Sequence, residues 1–139
     1  MFVVFDLDGT LANTDHRAHL VAAKDWRGYF AACDLDPPHS HVMAVAYALI
    51  DAGHEVEIWS GRSDEVRDKT EAWLAQYGLG DLPLKMRQAG DHTADEKLKL
   101  SWLLEAPKKP DMIFDDRAKV VRMWRENGVP CAQVADGDF

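Results

Sequence analysis

The chain has 139 residues, enough for one hydrophobic core and a small insert but too few for a core plus a large second domain. Its 47% apolar and 9% aromatic content is that of a globular protein, and no stretch approaches the ~20 apolar residues of a membrane span. Sixteen Lys and Arg against 24 Asp and Glu leave a net charge of −8, which excludes a generally basic nucleic-acid-binding surface. Residues 1–84 hold 14 acidic and 6 basic side chains and residues 85–139 hold 10 of each, so a local basic pocket is still compatible with the sequence.

Met1 leads directly into an apolar run, with no signal or transit segment ahead of it, and Cys33 and Cys131 lack the spacing of a disulfide framework or a zinc site. Both observations point to a reducing cytoplasm. The run predicts a first strand over 2–6, ending in Phe5-Asp6-Leu7-Asp8-Gly9-Thr10-Leu11, at the end where a parallel α/β sheet carries its chemistry. Asp6 and Asp8, two residues apart, would share one face of a regular strand, and Gly9 permits a sharp turn after them. Two crowded carboxylates call for a cation.

Residues 13–39 depart from strand–helix alternation and read as one or two amphipathic helices closed by Asp36-Pro37-Pro38. Trp26, Tyr29 and Phe30 have helical spacing there, which fits packing onto the core better than stacking of a base. His16 and His19 lie one turn apart near the first strand's end, but the six histidines form no zinc constellation.

From residue 40 the alternation is strict. A helix over 40–52, N-capped by Ser40 and stopped by Gly53, precedes a strand over 55–59 that runs into the Ser60-Gly61-Arg62 turn. A helix over 63–77 and a strand over 82–87, ending at Arg87, follow. If 95–99 is helical, Asp95 and Lys99 share a face one turn apart while Lys97 points elsewhere. A strand over 111–115 ends in Asp115-Asp116, a helix over 117–127 carries Val120, Val121 and Trp124 on one stripe, and a last strand spans 131–134. The pattern predicts a Rossmann-like, doubly wound parallel sheet with helices on both faces and a minimal helical insert, all in one domain.

The Asp6-Leu7-Asp8-Gly9-Thr10 string, Ser60-Gly61, Lys99 and Asp115-Asp116 occur in an order that resembles the four motifs of the haloacid dehalogenase-like superfamily. The resemblance implies that Asp6 attacks phosphorus to form an acyl-phosphate, and that Asp8 protonates the leaving oxygen and later activates water. It assigns the Ser60 hydroxyl and Gly61 amide to a phosphoryl oxygen, aided by the start of the following helix. Lys99 would neutralise Asp6 and the phosphate. Because a carboxylate is a weak nucleophile towards a phosphate dianion, Mg²⁺ is expected, held by Asp6, the backbone carbonyl of Asp8, and Asp115 or Asp116. Asp8 must be protonated for part of the cycle, which neighbouring negative charge would favour. The superfamily's sheet order would set strands one and four side by side, and the short insert would leave the site open, as in members acting on large substrates.

Over nearly its whole length the chain is also similar to the 3′-phosphatase domains of bacteriophage polynucleotide kinase-phosphatases. Arg17 stands eleven residues after the nucleophile, Arg62 follows Ser60-Gly61, Asp95 precedes Lys99 by four, and Asp115-Asp116-Arg117, 120–125 and 134–139 agree as well. The resemblance implies a substrate-binding set of Arg17, Gly61, Arg62, Arg87 and Asp95. No Gly-x-x-x-x-Gly-Lys-Ser/Thr loop is present, so a free-standing phosphatase without the kinase half is expected. The expected substrate is a nucleic-acid 3′ end, bound without a stable complex, with free (deoxy)nucleoside monophosphates as the alternative that the acidic charge favours. A non-catalytic binding protein of this fold would lack one of the four motifs, and none is missing; a mutase would carry a larger cap.

Overall fold

The computed structural model describes residues 1–139. Five strands, β1 (Phe2–Phe5), β2 (Glu55–Ser63), β3 (Leu84–Arg87), β4 (Met112–Asp115) and β5 (Cys131–Gln133), form one all-parallel sheet in the order β3-β2-β1-β4-β5. β1 is buried along its length and alternates between two cores: Val3 and Phe5 face one, Phe2 and Val4 the other. The first is closed by α3 (Ser40–Asp51) and α4 (Arg67–Gln76) through Val42, Met43, Ala46, Trp73 and Leu74. The second is closed by α5 (Asp95–Glu105) and α6 (Ala118–Glu126) through Leu103, Val120, Val121 and Trp124.

The chain leaves β1 in one direction towards β2 and returns to β4 on its other side, so the crevice between β1 and β4 is the topological switch point where open α/β sheets bind ligands. Phe5 pairs with Phe114, their rings stacked 4.6 Å apart, and the Asp6 amide donates to the Phe114 carbonyl. The register thus delivers Asp6 and Asp115 to the same edge, and alternation aims both at the α5 and α6 face.

The segment between β1 and α3 folds as α1 (Ala18–Ala22) and α2 (Trp26–Ala31), flanked by single 3-10 turns at 15–17 and 33–35. Its two ends are clamped together: Asn13 N–H donates to the Pro37 carbonyl and His39 N–H to the Leu11 carbonyl. Two local expectations differ. Ser40 is the first helical residue and not the cap, which is His39 with no side-chain bond. Trp26, Tyr29 and Phe30 belong to neither core, because α1 and α2 lie over the strand ends and not on a sheet face.

Candidate active site

Regular strand geometry stops at Phe5, so the expectation that Asp6 and Asp8 share a face fails. Their carboxylates part to opposite surroundings. Asp6 Oδ1 accepts from Lys99 Nζ at 2.7 Å and Oδ2 from Thr10 Oγ1 at 3.2 Å. Lys99 also reaches Asp115 Oδ2 at 3.1 Å. It can do so because α5 starts at Asp95 and puts its fifth residue, Lys99, on the buried side, with Lys97 exposed. Asp6, Asp115 and Asp116 offer oxygens that all lie within 4.8 Å of one another.

One ammonium does not neutralise three carboxylates. Burial, reinforced by the charges of Asp115 and Asp116, lifts Asp6 well above the usual carboxylate range against the pull of Lys99; burial and Asp115 lift Asp116 to about 6. Lys99 is the reverse: burial works against its charge, and Asp115 and Asp6 outweigh it and hold the ammonium firmly protonated. An excess of close, buried carboxylate oxygen is what a hard divalent cation requires. The three clustered carboxylates are a donor set whose chemistry suits Mg²⁺, and the Asp8 carbonyl receives no backbone hydrogen bond.

Asp115 and Asp116 are not equivalent. Both oxygens of Asp115 are engaged by the protein, Oδ1 by the amides of Asp116 and Arg117 and Oδ2 by Lys99 and the Trp124 indole N–H at 3.2 Å. Asp116 receives only a long 3.4 Å contact from Thr10. Gly9 is obligatory beside it: its φ is +80°, and a Cβ there would stand 2.1 Å from Asp116 Oδ2.

Asp8 sits among cations. Its Oδ1 accepts from Arg17 Nη2 at 2.7 Å and from Arg62 Nη2 and Nε at 2.7 and 2.9 Å, while Oδ2 is left for the cleft. Burial alone would raise its pKa, but Arg62 and Arg17 together hold it below the usual carboxylate range. The negative charge expected to favour its protonated form is present in Asp36, but the two guanidiniums outweigh it.

Arg17 and Arg62 have no exposed donors. Both guanidiniums are buried and share Asp36: Arg17 Nε and Nη2 bind it at 2.8 and 2.7 Å, and Arg62 Nη2 at 3.1 Å. The remaining arms donate to the Tyr29 carbonyl and to Thr70 Oγ1. Contact between these arginines and a phosphate, implied by the resemblance, is not offered by this geometry. Asp36 itself was not singled out by sequence; only its place before Pro37-Pro38 hints that the insert ends there. It is buried, accepts from both arginines, meets His16 Nε2 at 2.6 Å, and has its carbonyl held by the Trp73 indole.

Ser60 is buried, accepts the Arg62 amide at 3.2 Å, and lies behind the cleft wall, on which Gly61 and Ser63 stand. The strand before it runs longer than expected. β2 continues to Ser63 through a bulge, with Ser60 opposite Met86 and Ser63 opposite Arg87; Ser63 then caps a 3-10 turn over 64–66 that runs directly into α4 at Arg67, so the helical segment starts at Ser63 as expected. In that bulge the missing Cβ of Gly61 makes room for Asp95, whose Oδ1 would lie 2.3 Å from it. Asp95 pairs with Arg87 at 2.9 Å and Arg117 at 3.4 Å, and Arg87 further donates to the carbonyls of Gly61, Asp91 and Thr93. These two residues staple the 88–94 loop to the site.

Asp6, Asp8, Asp115 and Asp116 open on a cleft of about 900 Å³, far larger than a phosphate, with α1 and α2 contributing to its walls. No helix is long and apolar enough to cross a membrane. Comparison with solved structures finds a chain of the Pnkp1/Rnl/Hen1 RNA repair complex, 33% identical with a TM-score of 0.86, over 99% of this chain and 43% of that one. A second, from a Pnkp1/Rnl/Hen1 complex, is 35% identical with a TM-score of 0.84, over 99% and 46%. This chain therefore spans less than half the length of either. The family model described as "Polynucleotide kinase PNKP phosphatase domain" matches residues 1–139, from β1 through the last Asp-Gly-Asp-Phe. With the Asp-x-Asp-Gly-Thr motif, buried lysine and acidic pair of the haloacid dehalogenase-like fold assembled at one switch point, the chain belongs to that family of phosphatase domains.

Proposed function

We propose that this phosphatase removes the 3′-phosphate from nucleic-acid ends, with Mg²⁺, through an aspartyl-phosphate on Asp6. The observation that carries the reading is the division of labour across one cleft: Asp6 is aligned by Lys99 and Thr10 beside a cation-hungry acidic cluster, and Asp8 is aimed by two buried arginines with one oxygen free. The metal would be held by Asp6, Asp116 and the Asp8 carbonyl, and supplies charge neutralisation and alignment of the phosphoryl oxygens. Asp115, saturated by protein donors, fixes Lys99 in place.

A carboxylate oxygen of Asp6 forms the new bond to phosphorus as the bond to the leaving oxygen breaks. Oδ2 of Asp8 donates the proton that the departing hydroxyl needs, then accepts one from the water that hydrolyses the acyl-phosphate. Arg17 and Arg62 act through Asp8, holding its carboxylate in one orientation; an incoming phosphate dianion brings the negative charge that favours its protonation. The size of the cleft supports a polymeric end over an isolated small phosphate ester, as does the likeness to chains from an RNA repair complex, which also supports assembly with other repair proteins.

The test is a panel of 3′- and 5′-phosphorylated oligonucleotides, nucleoside 3′- and 5′-monophosphates and sugar phosphates at fixed Mg²⁺ and low salt. The 3′-phosphorylated oligonucleotide should have the highest kcat/KM, because its added phosphates and bases supply binding energy remote from the reacting phosphorus. Mononucleotides hydrolysed at least as efficiently would replace this reading with a nucleotide phosphatase, which the charge of −8 favours.

A further inference from the structure

The insert places three aromatic rings where neither core needs them. Val21, Trp26, Tyr29 and Phe30 line the same cleft as Asp6 and Asp8, and Trp26 is 52% exposed. Single exposed apolar side chains are common, whereas a contiguous aromatic group on the wall of a catalytic cleft is not explained by chance. The group is also rigidly tied to the chemistry. The Arg17 guanidinium that donates to Asp8 lies 4.2 Å above the Tyr29 ring; Tyr29 in turn meets Phe30 and Trp26 edge-on, at 5.4 and 6.1 Å. Arg17 covers one face of Tyr29, so Trp26 is the ring with open area.

Both ends of α2 are anchored. Asp25 accepts the Gly28 amide at its start, and Lys69 of α4 donates to the Ala31 carbonyl at 2.6 Å at its end. Arg27, next to Trp26, also lines the cleft.

We propose that α1 and α2 form a nucleobase platform, on which Trp26, backed by Tyr29 and Phe30, stacks the base of the nucleotide that carries the scissile phosphate. This rests on the nucleic-acid-end reading above and gives it a mode of recognition. A phosphate seated at Asp6 leaves its nucleoside in the mouth of the cleft, and an indole face accepts any base because every base has a π-face. The chain thereby gains affinity for its substrate without a basic surface, which its charge does not provide. Recognition by stacking is tolerant of sequence, as an end-processing activity requires.

The experiment compares kcat/KM for a 3′-phosphorylated trinucleotide with that for the same molecule carrying tetrahydrofuran in place of its terminal nucleoside, both still bearing the 3′-phosphate. Wild-type protein should prefer the complete substrate by about 5- to 150-fold, the range of base–aromatic stacking. In Trp26→Ala that ratio should fall towards one, and in Trp26→Phe it should stay near the wild-type value, which separates loss of the ring from collapse of the insert. A wild-type ratio of one overturns the platform, as does a Trp26→Ala protein that loses rate equally on both substrates. Release of phosphate from a sugar phosphate but from neither trinucleotide overturns the nucleic-acid reading and the platform with it, a result distinct from base-indifferent turnover.

Discussion

Asp6 and Asp8 are separated by one leucine, yet they sit in opposite electrostatic worlds. Around Asp6 there are three buried carboxylates to one ammonium, and burial, reinforced by that surplus, pushes Asp6 and Asp116 towards their protonated forms. Around Asp8 two guanidiniums hold it charged, and Asp36 is the second anion between them. The first surrounding is incomplete without an external cation, and the second is complete in itself. A phosphoryl-transfer site has use for both: a pole where a metal and a dianion can enter, and a pole where the carboxylate that is to take up and pass on a proton is already aimed.

The sharpest way to break this contrast is at the first pole. Asp6→Asn keeps the shape of the side chain but cannot form an acyl-phosphate, so phosphate release should fall on the order of 10⁴-fold or more with the thermal melt retained. Normal turnover by the folded variant removes the mechanism. Asp8→Asn should be partly rescued by an aryl phosphate, whose good leaving group needs no acid. Equal losses on aryl and nucleotide substrates would show that Asp8 is not the acid.

Next in size is the lysine. Lys99→Ala leaves Asp6 and Asp115 buried without a counter-charge and should cost about 3–5 kcal/mol of stability in urea melts, with loss of activity. Lys97→Ala, at an exposed position, should stay within about 0.5 kcal/mol. The reverse order would mean that α5 presents its other face to the sheet.

The second pole is probed through Asp36. Asp36→Asn should leave Asp8 in place but less firmly oriented, lowering kcat about 10- to 100-fold on nucleotide substrates and much less on aryl phosphate. A uniform loss on both would assign Asp36 to folding alone.

The smallest expected effect sharpens the difference in charge. With Asp116 raised to about 6 from an ordinary 3.8, the folded state binds more protons than the unfolded state between those values. Stability without metal should therefore decline as pH rises through that window. Mg²⁺ competes with those protons, so its thermal stabilisation should be a few degrees larger at pH 8 than at pH 5.5. A shift independent of pH would place the cation elsewhere.

Much of this was legible in the residues. An apolar run ending in Asp-x-Asp-Gly has few alternatives to a strand feeding a turn, and the i,i+4 relation of Asp95 and Lys99 singled out the lysine that is buried against Asp6. What escaped was tertiary. Asp36 reads as part of a turn before two prolines because nothing local reveals that two arginines, 19 and 26 residues away, converge on it. Trp26, Tyr29 and Phe30 were expected to pack on the core because helical spacing names a face without saying what it faces, and α2, six residues long, bridges the site and not the sheet. The end of β2 escaped because a bulge, set by the neighbouring strand and by Asp95 beneath Gly61, prolongs pairing where the sequence signals a turn.

The central place of β1 has a consequence for how the molecule comes into being. The first strand is hydrogen-bonded on one side to residues 55–58 and on the other to residues 112–114, so neither edge can close until chain far downstream has arrived. Such long-range parallel pairing makes for slow folding, with the loop entropy opposed before any contact rewards it. Asp6 waits longest, since the lysine and aspartate that flank it come from 93 and 109 residues further along. Catalytic competence should therefore appear late and all at once during refolding, after most helical signal has returned.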